Sequence, residues 1–83
     1  MDIAKTVKFL LGAEIEVVVS DEMTRAILVA QRIRSAGGTK MNAVRTVYQD
    51  IANLPRESVC FVFHKGAGLT SRGALSYFYR LRR

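Results

Sequence analysis

The chain has 83 residues, 49% hydrophobic and 24% charged, and its thirteen Lys and Arg against seven Asp and Glu give a net charge of +6. This length suits one small globular domain, and the balance of apolar and charged residues excludes a disordered or low-complexity chain. A lone Cys and a lone His exclude a disulfide framework and a zinc site of clustered Cys and His, and no apolar run approaches the about 20 residues that cross a bilayer as a helix.

The charge is segregated. Residues 1–31 carry a net −2 and residues 32–83 a net +8, and nine of the thirteen basic residues are Arg. A positive field built from planar, bidentate guanidinium groups favours polyanions, nucleic acid foremost. Asp2 follows Met1 directly, and Val7–Ala13 lacks the long apolar stretch of a secretory signal. The expected compartment is the cytoplasm, with Cys60 a reduced, buried thiol.

In chain order, Ile3, Val7, Leu10 and Leu11 recur at helical spacing and predict an amphipathic helix over 3–11, stopped by Gly12. Glu14-Ile15-Glu16-Val17 alternates and runs into Val18 and Val19, which predicts a strand over 14–19. Ser20 is a fitting N-cap for the next helix, Asp21 and Glu22 suit its first turn, and Gly37-Gly38 stops it after about Ser35. Met23, Ala26, Ile27, Ala30 and Ile33 form its apolar stripe. Leu28 and Val29 fall off that stripe and point to cover by a second element or a second subunit.

Thr39 caps a helix over 39–51, with Val44, Val47, Tyr48 and Ile51 on one face and Asn42, Arg45, Thr46 and Gln49 on the other. Asn53-Leu54-Pro55 ends it. The run Val59-Cys60-Phe61-Val62-Phe63 is continuous, β-branched and aromatic, and fits a buried helix or a buried strand. Pro55 at a starting position and Lys65-Gly66 at a stop favour a helix over 56–65. The alternative is a strand over 58–64 paired with 14–19, which makes the chain α+β. Gly66–Leu69 reads as a turn, and Thr70 caps a last helix over 71–82 that buries Ala74, Leu75, Phe78 and Leu81.

The expected fold is mainly α. Residues 1–83 form a single domain, with a three-helix, helix-turn-helix-like core over 39–83. Residues 1–38, with the N-terminal helix and short strand, form an accessory or dimerisation part.

Segment 55–83 has the layout of a helix-turn-helix: an apolar helix, a glycine-bearing turn, and a capped helix that opens on short polar and basic side chains. Thr70, Ser71, Arg72 and Ser76 are the candidate base-reading residues, and Arg72 suits guanine O6 and N7. Gly73 leaves room for close approach to a backbone. Tyr79, Arg80, Arg82 and Arg83 are candidate phosphate contacts, with Tyr79 also able to stack on a base. Lys65 and Arg56 flank the first helix and are further phosphate candidates. Tyr77 and Phe78 read as core.

Nothing in the chain has the spacing of a catalytic site. Cys60 lies inside the apolar run with His64 four residues on, a poor setting for a nucleophile and base. His64 reads as a packed or capping residue. Glu14 and Glu16 read as a solvated strand face. Gly66-Ala67-Gly68 is too short for a phosphate loop, and no Gly-Lys-Ser/Thr follows it. The expectation is a protein that is not an enzyme and takes no cofactor or metal.

Pro55-Arg56-Glu57-Ser58-Val59, Phe63, Ala67-Gly68-Leu69-Thr70, Gly73-Ala74, Tyr77 and Leu81-Arg82 together resemble the C-terminal module of small tailed-phage proteins. There an apolar helix leads through a similar turn into a second helix, in a helix-turn-helix-like arrangement. The resemblance covers about a third of the chain and implies a phage or prophage origin and a nucleic-acid role. The expected function is a small basic DNA-binding protein, a phage or mobile-element transcriptional regulator that reads duplex DNA with helix 70–82, with a homodimer as a further expectation. The alternative is a phage-encoded inhibitor or adaptor that docks its basic face on a host nucleic-acid enzyme. Small regulators of this kind often bind as two-fold dimers.

Overall fold

A computed structural model describes residues 3–8 and 14–82, with side chains from Val17 onward. It is mainly helical. The order is β1 (Ile3–Lys8), β2 (Glu14–Val19), α1 (Asp21–Ser35), α2 (Lys40–Ile51), α3 (Arg56–Ala67) and α4 (Ser71–Arg82).

Three of the four helices start at a side-chain cap, and α3 starts after Pro55, which makes no side-chain cap bond. The Ser20 hydroxyl accepts from the Met23 N–H at 3.2 Å, Thr39 from Asn42 at 3.1 Å, and Thr70 from Gly73 at 3.0 Å. These bonds satisfy donors that a helix leaves without an internal partner. The end of α1 is a Schellman turn. Gly37 sits at φ 93°, its N–H reaches Arg34 O at 3.1 Å, and the Gly38 N–H reaches Ile33 O at 2.8 Å.

α3 is the centre of the molecule. α1, α2, α4 and β2 all pack on it. Val59, Cys60, Phe61, Val62, Phe63, Gly66 and Ala67 are all buried, so the centre of the helix is enclosed all round, with charged and polar residues at its two ends. Around it α1 contributes Met23, Ala26 and Ala30, α2 contributes Ala43, Val44, Val47 and Ile51, and α4 contributes Ala74 and Phe78. Leu69, in the connection between α3 and α4, is buried with them.

Three expectations are corrected. Residues 3–8 form strand β1 rather than the start of a helix over 3–11, and β1 pairs antiparallel with β2, Ile3 opposite Val19 and Lys8 opposite Glu14. Backbone pairing with β2 supplies the partner that an isolated helix lacks. The remainder of the expected helix and its stop at Gly12 lie outside the described residues. The alternative of a strand over 58–64 paired with 14–19 is overturned, because that run is the interior of α3. Finally, α3 continues through Gly66 to Ala67 and stops at Gly68, whose φ is 77°. The connection to α4 is therefore 68–70 and not 66–69.

Gly66 stays helical because α1 crosses there. A Cβ on Gly66 would lie 2.7 Å from the Ala30 Cβ and 3.3 Å from the Ile27 backbone. The small residues Gly66 and Ala30 set the spacing of the two helices.

Candidate nucleic-acid interface

The solvent face of α4 follows from helical periodicity. At about 100° per residue, Arg72, Ser76 and Tyr79 fall within roughly 60° of one another, opposite the buried Ala74 and Phe78. All three are exposed. Thr70, just before the helix, is exposed, and Ser71 is half-buried at its start. Leu75, Tyr77 and Leu81 are half-buried and pack against the core.

Arg80 and Arg82 are exposed on the two flanks of that face, Arg80 one turn on from Ser76 and Arg82 on the side of Tyr79. They diverge by about 160° around the helix. Each lies over an aromatic ring of α4 itself: Arg80 Cζ is 5.5 Å from the Tyr77 ring centre, and Arg82 Cζ is 5.9 Å from that of Phe78. The rings attract guanidinium groups through their negative faces and hold the two arginines along the flanks of the helix. Arg83 lies outside the described residues. Among the described residues, no carboxylate forms an ion pair with Arg72, Arg80 or Arg82.

Arg56 reaches the same face from α3. Its Nη1 donates to the Tyr79 hydroxyl at 2.8 Å. That hydrogen bond, and then the charge of the phenolic group, raises the Arg56 pKa above its ordinary value. As the acceptor in this bond, the hydroxyl can still donate to an outside group.

The connection before α4 is held from within. The His64 Nδ1–H donates to the Leu69 carbonyl, which secures the backbone just ahead of the Thr70 cap. Gly73 accommodates this cap as well: a Cβ there would come within 3.2 Å of the Thr70 hydroxyl. The expected freedom of Gly73 is thus taken up inside the chain.

Lys65 is exposed at the end of α3, and its carbonyl accepts from Gln31 Nε2 at 3.2 Å. It borders a wide, open depression with Gln31, Arg34 and Ser35 from α1, Lys40 from α2, and Gly66–Gly68. Arg34 and Lys40 were not among the residues expected from sequence. They stand 31 and 25 positions before Lys65, and the only signal for them was the basic excess of residues 32–83.

Cys60 is fully buried. Burial pushes its pKa up to about 11, only partly countered by Arg56. A thiol so held is protonated at neutral pH and is a poor nucleophile. Among the described residues no cluster of His, Cys, Asp and Glu could hold a metal ion, and no helix is long and apolar enough to cross a membrane.

Leu28 and Val29 remain uncovered by the described chain, at 53% and 37% exposure. Leu28 borders a shallow groove with Val19, Ile27 and Phe61. No protein-family model, characterised protein or solved structure matches the chain.

Proposed function

We propose that this is a small DNA-binding protein that sets α4 into the major groove as the second helix of a helix-turn-helix, in keeping with a phage or mobile-element regulator. The observation that carries this reading is the solvent face of α4. It presents Thr70, Arg72, Ser76 and Tyr79 with no internal carboxylate on Arg72, in a chain of net charge +6. Short polar side chains and an Arg near the start of an exposed helix suit contact with base edges. Arg56 and Lys65 add phosphate contacts on either side.

The same reading includes a second copy. The described residues extend 30 Å along their longest axis, shorter than the about 34–36 Å between half-sites one turn apart. One chain therefore reads one half-site. The exposed side of α1 begins with Asp21 and Glu22, followed by Arg25, carries Leu28 and Val29 in the middle and ends with Arg32, so it is net acidic at its start and basic at its end. With the two-fold axis perpendicular to the helices, α1 pairs antiparallel with its copy, and the acidic end of each meets the basic end of the other.

The deciding experiment is binding of the full chain to duplex DNA across a range of salt. Affinity that falls linearly with the logarithm of salt, and that drops for Arg72→Ala, supports the reading. Absence of duplex binding at low salt overturns it and turns attention to an acidic protein surface as the partner.

A further inference from the structure

We infer that the depression bordered by Arg34, Lys40 and Lys65 is a second phosphate-binding site, which clamps the sugar-phosphate backbone of the duplex beside the groove that α4 enters. The inference rests on the DNA-binding reading of α4 and extends the contact onto α1 and α2.

Three cations from three elements border this open depression: Arg34 from the last turn of α1, Lys40 from the first residue of α2, and Lys65 near the end of α3. All three are exposed, and no carboxylate lines the depression. Arg34 and Lys65 have an internal reason for their positions, since a positive charge complements the C-terminal end of a helix. Lys40 has the opposite placement. It opens α2, where the helix dipole disfavours a cation, and no acidic residue occupies that first turn. Mutual repulsion of the three charges and this adverse dipole are both relieved by a bound anion.

The site is partly built before any ligand arrives. Arg34 Nη1 donates to Gly38 O at 2.8 Å, which holds the guanidinium at the rim, and Gln31 bridges α1 to the Lys65 carbonyl. Its position is also informative. Gly68 lines the depression and opens the connection that leads through Thr70 into α4. A strand of duplex lying across this connection meets the three cations as α4 meets the bases. Phosphates of one backbone are the ligand that such an arrangement recognises.

The test compares wild type with Lys40→Gln/Lys65→Gln, binding to a 20-base-pair duplex by fluorescence anisotropy from low to high salt. Arg34 is left in place because it caps the end of α1. Circular dichroism and thermal melting verify that the double variant folds. If it does not, the single variants Lys40→Gln and Lys65→Gln are measured in its place. Each lost phosphate contact removes about 0.9 from the slope of log affinity against log salt, so the double variant should lose roughly 2. It should also bind less tightly by a similar factor on every duplex, whereas Arg72→Ala should alter the ranking of sequences. A wild-type slope retained by the folded double variant, while wild type still binds duplex, overturns the clamp and leaves the α4 reading standing. If wild type itself binds no duplex at low salt, the α4 reading fails and the clamp fails with it.

Discussion

The Arg56 guanidinium and the Tyr79 hydroxyl are joined at 2.8 Å, which ties the first residue of α3 to the last turn of α4 across 23 positions of sequence. Both groups are exposed, so the bond contributes little to folding. Its consequence is orientation: the phenol is held on the α4 face with its proton available, and the guanidinium keeps further N–H donors for a phosphate. Groups that act as a unit give non-additive losses. We expect Arg56→Ala and Tyr79→Phe each to weaken duplex binding, and the double variant to bind no worse than the weaker single. Losses that simply multiply in the double variant would show two independent contacts.

Gly66→Ala tests the α1–α3 crossing. Alanine gains about 1 kcal/mol of helix propensity over glycine. Against this, the new methyl lies 2.7 Å from the Ala30 Cβ, and neither methyl can rotate away. Overpacking of that kind costs about 1–3 kcal/mol. The expected result is a lower melting temperature for Gly66→Ala, with a larger fall for Gly66→Leu. A Gly66→Ala protein that melts above wild type would falsify the tight crossing.

Local signals fixed the helix starts and the α4 face, while everything set by distant partners stayed hidden. Ser20, Thr39 and Thr70 cap through bonds to residues three positions on, and such bonds leave a signature in sequence. α3 was harder because its centre is packed on all sides. Its central run 59–63 has no exposed residue and so no 3.6-residue alternation to separate it from a buried strand. Ile3 and Val7 misled for a different reason: residues four apart share a face in a helix and in a strand alike. Pairing with Val19 and Ile15 decides the matter, and such pairing is non-local. The same limit concealed the approach of Arg34 and Lys40 to Lys65 and of Arg56 to Tyr79.

Leu28→Glu tests the proposed α1 pairing. Leu28 is the most exposed large hydrophobic residue of the described chain, at 53%, so the substitution should leave the monomer folded. Sedimentation should show wild type dimerising with rising concentration or on a two-site duplex, and Leu28→Glu remaining monomeric. Arg32→Glu should weaken the pair as well by setting acid against Asp21 and Glu22 of the second copy. Wild type that stays monomeric both free and on the duplex rules the pairing out.

Cys60 supplies a pH prediction. Its folded pKa lies near 11, above the ordinary value of 9.0. The folded state therefore holds the thiol proton more tightly than the unfolded state. The resulting stability is fully present below pH 9 and is lost as the pH rises through 11. Other groups titrate in the same range, so the measurement is the difference between wild type and Cys60→Ala, followed by chemical denaturation from pH 7 to 11. The stability of wild type relative to the variant should shrink across the upper part of that range. At pH 8 the native thiol should react far more slowly with an aromatic disulfide reagent than the thiol of the unfolded chain. Equal rates in the two states would show that the side chain is accessible and not buried.

The arginines of α4 should separate into two groups. Arg72 extends from the solvent face with no aromatic or carboxylate partner among the described residues, whereas Arg80 and Arg82 lie over Tyr77 and Phe78. A cation over a ring at an exposed site contributes about 0.5–1 kcal/mol, and both flanking arginines also complement the C-terminal end of the helix dipole. Arg82→Ala and Arg80→Ala should therefore lower the melting temperature by a few degrees, at about 4–8 °C per kcal/mol for a domain of this size. Their effect on duplex affinity should be smaller than that of Arg72→Ala and uniform across sequences. Arg72→Ala should leave melting unchanged and lose discrimination at one base pair, by about 1–3 kcal/mol if the contact is bidentate to guanine. The check is a melting series run beside a binding series on duplexes that differ by single base pairs. If Arg72→Ala tracks Arg80→Ala in both series, the solvent face of α4 does not read sequence, and the helix serves as a backbone contact instead.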